Sequence, residues 1–125
     1  NGNLMFGPEG LRAVLDWELC HLGDPMEDLG WLCTCSWRFG NHAMPVGGFG
    51  QYDDLFAGYE RASGRAVDPE RVRFWVILGS LKWGVMCCGM ADTFESGNDR
   101  TIERAMVGRR ASENEIDLLR HLLAI

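Results

Sequence analysis

Residues 74–91 read FWVILGSLKWGVMCCGMA, eighteen residues interrupted by a single charge, Lys82. A run of that length and apolarity either crosses a bilayer or is buried by neighbouring elements. The lysine at its centre and the charged, helix-like sequence on both flanks favour a buried helix in a globular core, and no membrane association is expected. Asp68-Pro69 supplies the start of that helix, which is expected to reach about Phe94. Gly79, Gly84 and Gly89 fall inside it. Each costs about 1 kcal/mol against alanine in an exposed helix interior, so close packing or a kink is expected there.

The same cap-and-proline signal occurs at Asp24-Pro25, followed by Met26, Leu29, Cys33 and Trp37 at helical spacing. Residues 40–50, GNHAMPVGGFG, read as a loop. A helix from about Gln51 to Ala62 presents Tyr52, Leu55, Phe56 and Tyr59 on one face and ends at Gly64. ESGNDR at 95–100 makes a turn before a short helix from Thr101. Ser112 with Glu115 reads as a capping box for a last helix whose Ile116, Leu119 and Leu123 face inward. Before all of these, LMF at 4–6 and LRAVLD at 11–16 flank Gly7-Pro8-Glu9-Gly10, a turn that joins them as a hairpin.

A chain of 125 residues with 46% hydrophobic and 24% charged residues is long enough for one domain with a real core. The net charge is −6 and basic residues do not cluster beyond Arg109-Arg110, which argues against a nucleic-acid surface. The five cysteines are odd in number and crowded in pairs, unlike a secreted disulfide framework, so free thiols in a reducing cytoplasm are expected. A zinc site from Cys33, Cys35 and Cys87 lacks any C-x-x-C or spaced His–Cys signature, and core thiols are the default reading.

The chemistry-bearing stretch is AVLDWELCHLGDP at 13–25. A short antiparallel hairpin brings its outer ends together, which places the Asn3 amide beside the Asp16 carboxylate. A neutral oxygen ligand next to one carboxylate suits Mg²⁺, which takes few protein carboxylates and completes its shell with water and phosphates. The alternatives are a turn role for Asn3 and a loop-capping carboxylate for Asp16. Glu18 is read as solvated or as support for the site, and Asp24 as a helix cap.

Gly2-Asn3 before LMF, then AVLDWE, then GDPMEDL resembles the C-terminal part of the aminoglycoside phosphotransferase and choline kinase family. YERASGR, the tryptophan-rich helix and GRRASENEIDLL look closer to one branch, related to the kinase-like domain of acyl-CoA dehydrogenase fusion proteins. The resemblance implies an α+β, predominantly helical fold. This is the C-terminal part of a protein-kinase-like large lobe: a metal-binding hairpin and loop at 1–23, then about five helices forming an acceptor-side subdomain at 24–125. It implies transfer of the ATP γ-phosphoryl group to a substrate hydroxyl, with Asp16 and Asn3 as the Mg²⁺ ligands and catalytic residues. Asp28 would hold the catalytic loop in shape, or be an ordinary exposed acid. The family's His-Gly-Asp base and phosphate-contacting lysine fall before Asn1, so the sequence is expected to be a piece that is inactive alone and self-associates through exposed apolar surface.

The acceptor pocket is expected on the helical subdomain. Trp37, Arg38 and Trp83 are its candidates, with Phe39 and Trp75 beside them. Aromatics at helical spacing are more often core, whereas Arg38 could hold an anionic group. No acid occurs from Arg71 to Ala91, which disfavours a polycationic aminoglycoside and favours a neutral or anionic acceptor. The branch resemblance suggests a hydroxyacyl thioester. His21, His42 and His121 carry no catalytic spacing. The alternative readings are a catalytically degenerate binding module and a helical interaction domain.

Overall fold

A computed structural model describes residues 2–123 of the chain. Strands β1 (Leu4–Gly7) and β2 (Gly10–Val14) form an antiparallel hairpin, followed by α1 (Pro25–Leu32), a 3-10 turn (Cys35–Arg38), α2 (Tyr52–Ser63), α3 (Pro69–Glu95), α4 (Ile102–Gly108) and α5 (Ala111–Leu123). Both Asp-Pro signals do what their chemistry demands. The Asp24 carboxylate accepts the Met26 N–H at 3.0 Å, and Asp68 accepts those of Glu70 and Arg71. Gly64, at φ 67°, ends α2 in the left-handed conformation.

The core forms where α1 meets the N-terminal half of α3. Met26, Leu29, Cys33, Val46, Val72 and Val76 are buried together, and Tyr52, Leu55, Phe56 and Tyr59 of α2 cover them. Glycine sets the approach of the helices. A Cβ on Gly30 would lie 2.5 Å from Trp75 Cβ and 2.9 Å from the Trp75 carbonyl carbon, so α1 and α3 touch backbone to backbone. Gly79 makes room for side chains instead, since a Cβ there would fall 2.6 Å from Thr34 Cγ2, whereas one on Gly84 would meet only Asn114 Cβ at 3.4 Å and one on Gly89 would face open space.

Helix α3 is long and apolar enough to cross a membrane, with mean hydropathy 1.5 over its best window. Val72, Val76, Gly79, Ser80 and Cys87 are buried, and the helix packs on α1, α4 and α5. The expected burial in a globular core holds for one side of the helix only. Phe74, Leu78, Leu81 and Val85 form an exposed stripe. Lys82 is accommodated by lying over the Trp31 ring, 5.3 Å from its centroid.

Three local expectations also change. Helix α1 stops at Leu32 rather than continuing through Trp37, because Thr34 is extended and its hydroxyl takes the Trp31 carbonyl at 3.0 Å. Ser112 caps nothing: α5 already begins at Ala111, directly behind Arg109-Arg110. Ile116, Leu119 and Leu123 lie at the surface of α5, and its buried side chains are instead polar, Asn114 and Asp117. Asn114 donates to the Arg110 carbonyl at 3.0 Å, whereas two partners of Asp117 lie on other elements, where helical periodicity of apolar residues gives no sign of them. Ser80 donates to Asp117 at 2.9 Å, and Arg38 of the 3-10 turn reaches the same carboxylate at 3.7 Å.

Candidate active site

The hairpin pairs Leu4 with Val14 and Gly7 with Gly10, with a bulge after Met5. Its ladder continues past both strand ends, because Leu15 N–H donates to the Asn3 carbonyl at 2.8 Å. A two-stranded hairpin is marginal by itself. This one is seated by Phe6 edge-on to Phe49, centroids 6.0 Å apart, and by Gly2, where a Cβ would fall 2.3 Å from Trp37 Cζ3.

At the open end the Asn3 Nδ2 amide donates to Asp16 Oδ2 at 2.8 Å. The residues thirteen apart in sequence are therefore hydrogen-bonded neighbours. Asp16 takes φ 64°, a left-handed backbone that costs an L-residue about 1–2 kcal/mol and that aspartate tolerates better than most. Its carboxylate is exposed and forms no ion pair among the described residues. Trp17 folds back to donate Nε1–H to the Val14 carbonyl at 2.8 Å, which fixes the chain on the far side of Asp16.

The donor set can be tested against a divalent cation. Among the described residues no three His, Cys, Asp or Glu side chains converge as a metal cluster. One carboxylate and one amide are what this end of the hairpin offers. That is too little for zinc or calcium and fits Mg²⁺, which keeps most of its shell as water and phosphate oxygen. An amide turns its nitrogen to a carboxylate and its oxygen to a cation, so coordination requires the Asn3 amide to rotate and present Oδ1.

Behind the site, Asp24 ties α1 to α3. Besides capping α1, its Oδ2 accepts from Trp75 Nε1 at 3.0 Å and from Arg71 Nη2 at 2.6 Å. The Trp75 hydrogen bond and then the Met26 N–H, with Arg71 adding to them, hold its carboxyl below the usual carboxylate range against the opposing effect of burial. Asp28 stands exposed on the first turn of α1 and makes no hydrogen bond among the described residues. Glu18 is exposed as well. His21 is pinned between two acceptors, the Leu19 carbonyl and Glu27 Oε2, each at 3.0 Å. Both ring nitrogens must donate, and the Leu19 bond, then Glu27, raise its pKa above the ordinary histidine value.

The acceptor-side candidates separate. Trp37 lies against Gly2 and packs edge-on to Trp31 and Phe39, at 6.2 and 6.4 Å. Trp83 also packs edge-on to Trp31, at 6.4 Å, with its buried Nε1 unpartnered among the described residues. Arg38 faces inward, donating to the Cys33 carbonyl at 2.8 Å and pairing with Asp117. It ties the 3-10 turn to α5, and it also lines the cleft formed with Phe6, Phe39 and Phe49. The sequence reading missed Asp117, whose partners lie 37 and 79 residues away, and it passed over two open clefts on either side of Phe39.

Together these features describe a mainly helical domain that carries one exposed oxygen-donor pair at the mouth of a hairpin. Residues 1–75, three-fifths of the chain, match the family model described as the phosphotransferase enzyme family, and the chain belongs to that family. The match takes in the hairpin, α1, the glycine-rich loop, α2 and the start of α3. No curated protein and no solved structure matches it.

Proposed function

We propose that the chain forms the metal-binding and acceptor side of an ATP-dependent small-molecule kinase. The observation that carries this reading is the exposed Asp16 carboxylate, which forms no ion pair among the described residues and is held 2.8 Å from the Asn3 amide. Asp16 and Asn3 would hold Mg²⁺, which when bound neutralises charge on the phosphates. Phosphoryl transfer asks the protein for position and charge rather than covalent chemistry. The hairpin ladder, the left-handed backbone at Asp16 and the folded-back Trp17 supply position by fixing where the carboxylate points. Asp24 supports the loop from below by joining α1 to α3.

The acceptor is a neutral or anionic hydroxylated molecule, a hydroxyacyl thioester in the branch this chain resembles, rather than an aminoglycoside. The exposed thiols of Cys20 and Cys88 suit the reducing cytoplasm. A second reading, a helical interaction module that self-associates, is favoured by the exposed stripe Phe74, Leu78, Leu81 and Val85. Mg²⁺-dependent ATP turnover by the full-length protein, against a panel of hydroxylated metabolites, separates the two. Asp16→Asn is expected to lower kcat by about 10²–10³-fold; an unchanged rate ends the assignment of Asp16 as the metal ligand, and absence of any ATP turnover ends the kinase reading.

A further inference from the structure

Between the loop after the 3-10 turn and the outer face of α5 lies a cleft of about 530 Å³, within the size range of small-molecule sites. One wall is Phe39, Gly40 and His42, and the other is Glu113, Ile116 and Arg120, which share a face of α5. Arg110 closes the cleft, with Cys35 also in its lining. The charges are unequally committed. Arg110 donates to the Ser36 carbonyl and to Glu113, both at 3.1 Å, which neutralises the cleft's acid. Arg120 and His42 are exposed and form no hydrogen bond or ion pair among the described residues. In a chain of net charge −6, a guanidinium and an imidazole with no partner among the described residues thus line a cleft whose acid is already paired.

Phe39 adds an independent sign. It holds φ 45°, a left-handed backbone rare for a bulky side chain, and its ring is 60% exposed. Such strain persists only where the surroundings enforce it, and it concentrates at binding sites. Here it stands the ring up as a partition, because Phe39 also lines the neighbouring apolar cleft formed with Phe6 and Phe49. An aromatic face and Ile116 offer apolar contact beside the two nitrogen donors.

We propose that this cleft binds an oxyanion, a carboxylate or phosphate, at the end of a small molecule with an apolar body. Arg120 and His42 hold the anion, and Phe39 and Ile116 line the body. The site stands apart from Asp16 and Asn3, so it would bind whether or not the hairpin holds a cation. The test is heteronuclear NMR titration of the full chain with inorganic phosphate, acetate and hexanoate. The expected result is saturable shifts at His42, Phe39 and Arg120, with hexanoate binding several-fold more tightly than acetate. Arg120→Gln is expected to weaken binding about tenfold and His42→Ala about threefold, without loss of helicity, since neither side chain holds the fold together. Arg61→Gln, a charge change on α2, should leave binding unaltered. Absence of saturable binding by all three probes, unchanged affinity in Arg120→Gln, or equal weakening by Arg61→Gln would each overturn the proposal. If phosphate alone binds, the anion site stands and the apolar body is withdrawn.

Discussion

Replacing Asp117 by alanine should destabilise the fold more than any change at a surface charge. The carboxylate side chain is 4% exposed and joins three elements: Ser80 of α3, Arg38 of the 3-10 turn, and His121 one turn along α5. Burial opposes its charge, and the hydrogen bonds from His121 and Ser80, with the charge of Arg38, outweigh that and hold the carboxyl below the usual range. Removing it leaves a guanidinium 11% exposed without its counter-charge and a fully buried serine hydroxyl without its acceptor. Breaking a buried pair costs about 3–5 kcal/mol, and the 3.7 Å separation from Arg38 puts this one near about 3 kcal/mol. With a urea m-value of about 1–3 kcal/mol/M, the midpoint should fall by roughly 1.5 M. Urea unfolding followed by tryptophan fluorescence reads this directly. The sign with pH follows from the lowered folded pKa. The stabilisation is present above the unfolded carboxyl value and is lost as pH falls through the folded one, and Asp117→Asn removes that acid limb. A loss below about 0.5 kcal/mol in Asp117→Ala would show that these contacts contribute nothing and refute the reasoning.

Other changes probe separate parts of the account. Gly30→Ala should cost about 1–3 kcal/mol in urea unfolding because its methyl meets α3 backbone, while Gly89→Ala, facing open space, should be neutral or stabilising by up to about 1 kcal/mol. His21, with its pKa raised, contributes stability that is complete below its unfolded value near 6.5 and is lost as pH rises through the folded value; NMR titration should show Glu27→Gln lowering that folded pKa. A thiol reagent should label Cys20 and Cys88 promptly and leave Cys33 unmodified until unfolding, since burial, against a partly offsetting Arg38 charge, pushes the Cys33 thiol up to about 12.

Local chemistry was legible in the sequence, and long-range pairing was not. Asp24 and Asp68 announce their helices because a cap and a proline act within one turn, and the hairpin follows from a four-residue turn between apolar runs. The proximity of Asn3 and Asp16 is a consequence of that hairpin and could be stated from it. The pairing of Arg38 with Asp117 could not be foreseen, because Asp117 sits on the last helix and a cation next to an aromatic reads the same whether it faces a ligand or a buried acid. The inward face of α5 was misread for a related reason. Ile116 and Leu119 follow helical spacing, yet polar Asn114 and Asp117 occupy the buried side through hydrogen bonds to Arg110 and Ser80.

Mn²⁺ titration followed by NMR asks the hairpin itself whether it grips a divalent cation, without requiring turnover. Paramagnetic broadening should appear first at the Asn3 side-chain amide and the backbone of Asp16 and Trp17, be relieved by competing Mg²⁺, and vanish in Asp16→Asn. Broadening that settles on other carboxylates, or that survives in Asp16→Asn, would contradict the assignment of this carboxylate as the metal ligand.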